Sequence, residues 1–200
     1  LTNTYRQDVY ANNLANVNTT AFKRARVNFE DLFYRQIKLP GVPDAQNNFT
    51  PTGIAVGLGA RVQSTQTDFG QGAFTTTNNP LDMAIEGRGF FIVQDSNTGQ
   101  NVYTRAGNFS INANGQLVIG SAQTGRIVQP QVTFPQDAIN IVVSPDGAIF
   151  YNQVGNTQLQ QAGQLQLATF YNPEGLLKLG ENLFEETQSS GQANQVNPGQ

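Results

Sequence analysis

The sequence predicts a mainly β protein in which an antiparallel β domain, built from hairpins in a sandwich or barrel-like arrangement, follows a short helical segment and an extended arm. Three observations support this fold class. Apolar and polar residues alternate in short runs from residue 54 onward, and turn residues separate these runs. Two dipeptides typical of hairpin turns, Asn114-Gly115 and Asp146-Gly147, lie between such runs. Helical periodicity is confined to residues 1–38.

The first predicted element is an amphipathic helix at the start of the chain. Leu1, Tyr5 and Val9 recur every four residues and are followed by Leu14 and Val17, with polar residues between them. An Asn- and Thr-rich run at residues 12–20 should end this helix, because such side chains compete for backbone hydrogen bonds. Nothing else in the amino-terminal segment is large enough to cover the apolar side of this helix.

A second short helix is predicted over residues 29–38, which completes an amino-terminal helical or core segment at 1–38. Asn28 can cap this helix, and its charges run from acidic to basic along the helix dipole. Residues 39–53 contain three prolines and two glycines and therefore predict an extended arm.

Residues 54–187 predict the β domain. Its first strand covers residues 54–62, where apolar side chains alternate with small ones. Further strands are predicted at residues 81–86, 89–94, 101–105, 109–111, 116–119, 126–128, 139–143, 148–154 and 165–170. The tail at residues 188–200 is rich in amides and glycine, and we expect it to be loosely ordered.

Composition excludes many kinds of active site. The 200 residues include no His, no Cys and no Trp, so nucleophilic triads, imidazole or thiolate zinc sites and disulfide frameworks are absent. Only 12% of the residues are charged, whereas 22 are Asn and 23 are Gln. Residues 1–38 hold six bases and three acids (+3), and residues 39–200 hold five bases and eleven acids (−6). No apolar run reaches the roughly 18 residues of a membrane span.

Two acidic residues, Asp82 and Glu86, are the best candidates for catalysis, because glycoside hydrolysis requires only two carboxylates. Four residues along a strand would separate them by about 13 Å, which exceeds the roughly 5–9.5 Å that such pairs need. We therefore interpret both as charges on the solvent face of a strand. A secreted hydrolase and an extracellular glycan-binding or adhesion β protein remain the alternatives from other functional classes.

Lys23, Arg24 and Arg26 form a small basic cluster that could suggest nucleic-acid binding. Three charges supply only a weak attraction for phosphate in a chain of net charge −3, so an acidic neighbouring subunit suits the cluster better. Residues 112–115 resemble part of a calcium loop but lack its carboxylates. We expect no metal, no cofactor, no nucleic acid and no small-molecule substrate.

Several segments in fixed order resemble the flagellar rod and hook family of axial proteins. Residues 12–19, together with Phe22-Lys23-Arg24, look like that family's amino-terminal signature. Residues 78–91, which read Asn-Asn-Pro-Leu-Asp-Met-Ala-Ile-Glu-Gly-Arg-Gly-Phe-Phe, look like the motif shared by its rod and hook members. Residues 103–109, with 114–118, resemble the hairpin that follows this motif.

Two further regions resemble the distal-rod members of this family. They are residues 51–59 (Pro-Thr-Gly-Ile-Ala-Val-Gly-Leu-Gly) and residues 172–184, from Asn-Pro-Glu-Gly-Leu to Gly-Glu-Asn-Leu-Phe. Hook and proximal-rod members share the general motifs without both of these segments, and they are the alternative within the family. The chain departs from the family pattern at Thr20-Ala21, where a glycine often precedes the Phe, and lacks the terminal ends. We therefore expect a fragment whose tail leads to a missing carboxy-terminal helix.

The resemblance implies a structural protein and no catalytic residue. Family members self-assemble helically into a shaft that transmits torque from motor to hook, with terminal helices inside and a β domain outside. Their partners are copies of themselves, other rod and hook proteins and the ring proteins around the rod. They leave the cell through the flagellar export channel without a cleaved signal peptide, and the rod crosses the periplasm. The residues that carry the motifs, and that we expect to serve assembly, are Asn12, Asn13, Leu14, Asn16, Asn18, Phe22, Lys23, Pro51, Gly53, Gly57, Gly59, Asn79, Pro80, Leu81, Asp82, Gly87, Gly89, Phe90 and Phe91.

Overall fold

The structure, a computed structural model, describes residues 2–41, 43, 48–49, 52–96, 98–123 and 125–199. It divides into two compact units, one formed by Leu1–Asn18 with Arg24–Asp68 and the other by Thr19–Lys23 with Phe69–Gln200. The predicted fold class is confirmed, because the described residues form antiparallel sheets and one amino-terminal α-helix. The described residues do not form a closed barrel, because no sheet among them closes on itself.

The first unit contains helix α1 and two separate two-stranded sheets. Its elements are α1 (Thr2–Ala15), β1 (Ala25–Asp31), β2 (Tyr34–Lys38), β3 (Ile54–Gly57) and β4 (Ala60–Thr67). Strand β1 pairs with β4, and β2 pairs with β3, both antiparallel. Helix α1 ends within the Asn-rich run, as predicted, where the Asn16 side chain donates to the Asn12 carbonyl at 3.0 Å. No helix in the described part of the chain is long and apolar enough to cross a membrane.

The predicted helix at residues 29–38 is wrong, because residues 29–31 belong to β1, residues 34–38 form β2, and residues 32–33 connect the two strands. The apolar stripe that favoured a helix includes Phe29, which instead lies opposite Val62 in the β1–β4 pair. Asn28 does not cap a helix, and its amide donates to the Ser64 hydroxyl at 3.1 Å. The predicted strand at 54–62 is interrupted at Gly59, whose φ of +105° marks a turn between β3 and β4.

The second unit contains one large sheet and one small sheet. Its strands are β5 (Phe90–Gln94), β6 (Asn101–Thr104), β7 (Phe109–Ile111), β8 (Leu117–Ile119), β9 (Arg126–Gln129), β10 (Ala138–Val143), β11 (Ala148–Gln153), β12 (Asn156–Gln164), β13 (Leu167–Thr169), β14 (Leu177–Gly180), β15 (Leu183–Glu185) and β16 (Asn194–Val196). The large sheet follows the order β14-β15-β6-β5-β9-β8-β7, and β13 joins β5 to β16. Strands β10, β11 and β12 form the small sheet.

The large sheet is covered by apolar side chains on both faces. Along β5, Phe91 and Val93 belong to one buried cluster, whereas Phe90 and Ile92 belong to another, as the period-two geometry of a strand requires. The small sheet packs against the first cluster through side chains such as Ile149, which is 1% exposed. The second unit is therefore a layered antiparallel domain with its core between the two sheets.

Both predicted hairpins are confirmed. Strands β7 and β8 flank Asn114-Gly115, and β10 and β11 flank Asp146-Gly147. In each turn the glycine has positive φ, +77° at Gly115 and +84° at Gly147, which a residue with a side chain rarely adopts.

The predicted strand at residues 81–86 is wrong. Only an isolated bridge between Asp82 and Asn108 is present there. The Asn79 side chain accepts the Leu81 N–H at 3.2 Å and donates to the Asp82 carboxylate at 2.9 Å, so local polar bonds hold a turn instead of a strand.

The tail is ordered, contrary to the expectation from its composition. Residues 194–196 form β16, which pairs with β13. Ser190 is fully buried, and its hydroxyl donates to the Thr187 carbonyl at 2.9 Å and accepts from the Thr187 N–H at the same distance. Amide- and glycine-rich composition did not reveal the pairing of β16, because this pairing depends on β13, which lies well before the tail in the sequence.

Candidate assembly surfaces

Helix α1 exposes several large apolar side chains. Tyr5, Tyr10 and Leu14 are 55%, 61% and 73% exposed, and Val17, just after the helix, is 70% exposed. Because an α-helix turns by about 100° per residue, Tyr5 and Leu14 lie on opposite sides of it and do not form one stripe. Among the residues predicted to serve assembly, Leu14, Asn12 and Asn18 are exposed, and Asn16 is half-buried.

Asn13 has a different place from the other residues of the amino-terminal motif. Its amide donates to the Ala25 carbonyl at 2.8 Å, and its carbonyl accepts the Ala25 N–H at 3.0 Å. These two bonds connect α1 to the first residue of β1. The Asn13 side chain therefore stabilises the first unit from within.

The β2–β3 pair is exposed and carries large apolar side chains beside Arg35 and Lys38. Every residue of both strands is exposed, including Tyr34, Ile37 and Val56 at 55%, 63% and 47%. Phe33, just before β2, is 92% exposed. A two-stranded sheet is only marginally stable in water unless something packs on it. We define Phe33–Lys38 and Ile54–Gly57 as the hairpin surface.

The glycines of the distal-rod motif allow close backbone approaches around this hairpin. A Cβ on Gly53 would collide with the Lys38 carbonyl, and one on Gly57 would lie 3.3 Å from the Tyr34 ring. Gly59 adopts the left-handed conformation described above. Pro51 and much of the predicted arm lie outside the described residues.

The motif at residues 78–91 builds a turn that leads into the core. Gly87 and Gly89 have φ values of +87° and +138°, and Gly89 is buried against Leu167. Phe90 and Phe91 then point to opposite faces of the large sheet, at 2% and 4% exposure. The Arg105 guanidinium donates to the Gly87 carbonyl at 2.8 Å and lies 5.3 Å from the Phe90 ring centroid.

The first residues of the same motif also make contacts within the chain. Leu81 packs against the first buried cluster, and Pro80 begins the turn that Asn79 and Asp82 close. Asp82 is half-buried beside its amide partner, whereas Glu86 is exposed. This arrangement gives neither carboxylate the environment of a catalytic acid.

The basic cluster is occupied by partners within the chain. Lys23 donates to the Gly70 carbonyl at 2.8 Å, Arg24 pairs with Asp68 at 2.7 Å, and Arg26 donates to Gln66 at 2.9 Å. These internal bonds supply the acidic and amide partners that the sequence analysis had sought in a neighbouring subunit. The cluster does not form an open phosphate site.

The small sheet of the second unit presents a face without charges. Its three strands contain 6, 6 and 9 residues, and none of these 21 is Asp, Glu, Lys or Arg. Ile139, Val142 and Leu159 are 43%, 51% and 58% exposed on the side away from the buried cluster. We call this side of β10–β12 the uncharged face.

The perturbed titratable groups belong to internal contacts and do not share a cleft. Burial, reinforced by Glu186, raises the pKa of Tyr103 to about 12. The Thr98 hydroxyl, with a smaller contribution from Arg126, lowers the pKa of Asp95. No group of three or more acidic residues in the described chain is arranged to hold a metal ion.

Sequence reasoning missed one cluster of contacts. The Lys178 ammonium donates to the Lys23 carbonyl at 3.2 Å, and the Asn182 amide donates to the Thr20 carbonyl at 3.0 Å. A cavity of about 370 Å³ lies beside these contacts and is lined in part by Thr19 and Arg126.

Comparison with known proteins identifies the family. Residues 2–23 match the model described as flagella basal body rod protein, and residues 84–151 match the flagellar hook protein FlgE/F/G D1 domain. The flagellar basal-body rod protein FlgG of Buchnera aphidicola subsp. Baizongia pistaciae is 43% identical over 96% of this chain and 72% of the relative. The FlgG protein of Caulobacter vibrioides is 43% identical over the same shares.

The chain belongs to the FlgG family of flagellar basal-body rod proteins. Its similarity to a hook protein is narrower. In Borreliella burgdorferi, the FlgG protein is 40% identical over 94% of this chain and 70% of the relative. The hook protein FlgE of the same organism is 44% identical over 56% of this chain but only 25% of the relative. The FlgG match therefore covers a larger share of both chains than the hook match does.

Proposed function

We propose that this FlgG-family chain is a structural subunit of the flagellar distal rod, and that copies of it assemble helically into a rigid shaft that transmits torque from motor to hook. The observation that carries the proposal is the hairpin surface, because a folded FlgG-family chain leaves an apolar two-stranded sheet exposed. Helix α1 adds further exposed apolar side chains, namely Tyr5, Tyr10 and Leu14. Exposed apolar side chains of this kind are typical of a subunit that buries them against neighbouring subunits.

The proposed mechanism is the sum of many repeated contacts. In an open helical polymer each subunit meets its neighbours through different surfaces, so stiffness arises from several interfaces together. The uncharged face suits such packing because none of its own side chains is an ion that must lose its hydration when the face is buried. Amide side chains can bond across the contact at a smaller desolvation cost than charged groups.

We propose further that the partners are other copies of this chain, other rod and hook proteins and the ring proteins around the rod. The family places the chain in the flagellar basal body, and the proposed location is the part of the rod that crosses the periplasm. Export through the flagellar channel without a cleaved signal peptide belongs to the same proposal. The motif residues at 12–23, 51–59 and 78–91 are proposed to serve assembly, with no residue acting in catalysis.

Electron microscopy of the protein expressed from its complete gene tests this proposal. We expect straight tubes of uniform diameter when the purified protein is concentrated. A protein that stays monomeric under all assembly conditions would contradict the rod function. Curved or flexible tubes would favour the hook alternative, for which the partial match to FlgE is the specific observation.

A glycan-binding screen tests the alternative that the chain is an extracellular glycan-binding protein or a hydrolase. We expect no binding by the parent chain or by variants with Asp82→Asn and Glu86→Gln. Specific binding that these substitutions abolish would contradict a purely structural role.

A further inference from the structure

The chain passes between its two units in an unusual way. Residues up to Asn18 belong to the first unit, Thr19–Lys23 belong to the second, and the chain returns to the first unit at Arg24. Of the nine residues that connect helix α1 to strand β1, five therefore belong to the second unit. We call Thr19–Lys23 the crossing segment.

Two side chains from the β14–β15 hairpin hold the crossing segment. The Asn182 amide donates to the Thr20 carbonyl at 3.0 Å. The Lys178 ammonium donates to the Lys23 carbonyl at 3.2 Å and lies 4.6 Å from the centroid of the Phe22 ring. Ala21, between these contacts, packs against the first buried cluster. The segment is thus fixed at both of its ends and in its centre.

The backbone at these contacts is unusual as well. Of the four non-glycine residues with positive φ in the described chain, Ala21 (+60°), Glu181 (+52°) and Asn182 (+58°) lie here. Glu181 and Asn182 form the two-residue turn between β14 and β15, where positive φ at both positions is required. The Glu181 carboxylate pairs with Arg126 at 2.7 Å, which helps to hold the turn. Such conformations persist only where the surroundings fix them.

We propose that Lys178 and Asn182 form an anchor that attaches the crossing segment to the β unit, so that force applied to this unit reaches helix α1 and strand β1 through Thr19–Lys23. This inference rests on the proposed function, because it assigns residues to the transmission of torque. It also gives a physical role to residues 180–184, one of the segments that resemble distal-rod members.

Two substitutions remove the anchor without disturbing the turn. Asn182→Gly eliminates the amide donor and keeps a residue that adopts positive φ readily. Lys178→Met keeps an unbranched side chain and removes the ammonium. Lys38→Met, on the exposed strand β2, is the matched control for loss of a lysine.

Hydrogen exchange of the backbone amides provides the first measurement. The amides of Phe22 and Lys23 should exchange about three- to tenfold faster in each variant, as expected for the loss of one hydrogen bond, and still faster in the double variant. The amides of β5 and β6 should exchange at the parent rate, and Lys38→Met should leave the crossing segment unchanged. Unaltered exchange at Phe22 and Lys23 in the folded double variant would overturn the anchor.

The second measurement separates the anchor from the proposed function. Tubes assembled from the full-length double variant should form as in the parent but show lower torsional stiffness. If they are equally stiff, the anchor does not carry force, although the rod function stands. If the parent itself forms no tubes, the rod function fails, and the exchange result still decides whether the anchor holds the segment.

Discussion

At the scale of single residues, Tyr103 is the most strongly perturbed titratable group. Its ring is 5% exposed, and its hydroxyl donates to the Glu186 carboxylate at 3.4 Å. Burial is the larger cause of the raised pKa of about 12, and the nearby negative charge is the smaller one. Because the folded state holds this proton more tightly than the unfolded state, the resulting stabilisation is complete below about pH 10 and is lost between about pH 10 and 12.

We predict that Glu186→Gln lowers the pKa of Tyr103 but leaves it above the ordinary value of about 10, because burial remains. Ultraviolet titration of the tyrosines measures this, with Tyr103→Phe as the control that identifies the signal. A titration of Tyr103 that does not respond to Glu186→Gln would contradict the assigned contact.

Ala21 tests the backbone conformation of the crossing segment. Ala21→Gly removes the cost of positive φ, about 1–2 kcal/mol, but increases the freedom of the unfolded chain and deletes a packed methyl group. We predict a free energy of unfolding within about 1 kcal/mol of the parent for Ala21→Gly and a loss of more than about 1 kcal/mol for Ala21→Val. Urea unfolding measures both, and equal stability of the Val variant and the parent would contradict the conformation.

At the scale of elements, Gly107 fixes the connection between β6 and β7. A Cβ at this position would overlap the Met83 carbonyl, whereas a Cβ on Gly72 would meet nothing within 4 Å. We predict that Gly107→Ala reduces the free energy of unfolding by at least about 3 kcal/mol, because backbone has to move. Gly72→Ala should change it by less than about 1 kcal/mol. Similar effects of the two substitutions would show that the turn accommodates a side chain.

The hairpin surface leads to a prediction about assembly. Ile37→Glu places a charge on an exposed apolar strand, so it should leave the folded chain as stable as the parent to within about 0.5 kcal/mol. Buried at a subunit contact, the same charge should raise the critical concentration for tube formation at least about tenfold. Gln63→Glu, on exposed β4, is the matched control. Normal assembly of the Ile37 variant would remove the hairpin surface from the proposed contacts.

The elements also show which features were predictable from sequence. The turns at Asn114-Gly115 and Asp146-Gly147 were found because their conformation depends on residues within the turn. The segment at 29–38 was assigned wrongly because its apolar spacing fits one side of a helix, and only pairing with β4 and β3 makes it two strands. Strand β12 was missed because apolar and polar residues hardly alternate in its amide-rich sequence. It lies at the edge of the small sheet, where it is held by pairing with β11.

The anchor could not be predicted for a different reason. Nothing near Lys178 or Asn182 in the sequence indicates that their partners are Lys23 and Thr20. The family resemblance located the segments that contain all four residues, but contact between these segments is a property of the folded chain. The residues predicted to serve assembly also differ in a way that the sequence does not show. Some, such as Leu14, are exposed, whereas others, such as Asn13, make hydrogen bonds within the chain.

At the scale of the whole molecule, low charge has a consequence for assembly in salt. The uncharged face has no ions to screen, and the hairpin surface contributes only Arg35 and Lys38. We therefore predict that the critical concentration changes less than about threefold between about 0.05 and 0.5 M sodium chloride. Sulfate salts should lower it, because they strengthen apolar burial. Light scattering against protein concentration measures both effects. A steep loss of assembly in sodium chloride would indicate that ion pairs hold the subunits together.

The crossing segment finally bears on the order in which the molecule folds. Its partners Lys178 and Asn182 follow Lys23 and Thr20 by 155 and 162 residues. Contacts between such distant residues form late, because a long loop must close first. Helix α1 and the β1–β4 pair need no contact with residues 178–182, but the crossing segment cannot attach before these residues fold. Formation of the β14–β15 hairpin is therefore required before Thr19–Lys23 is held in place.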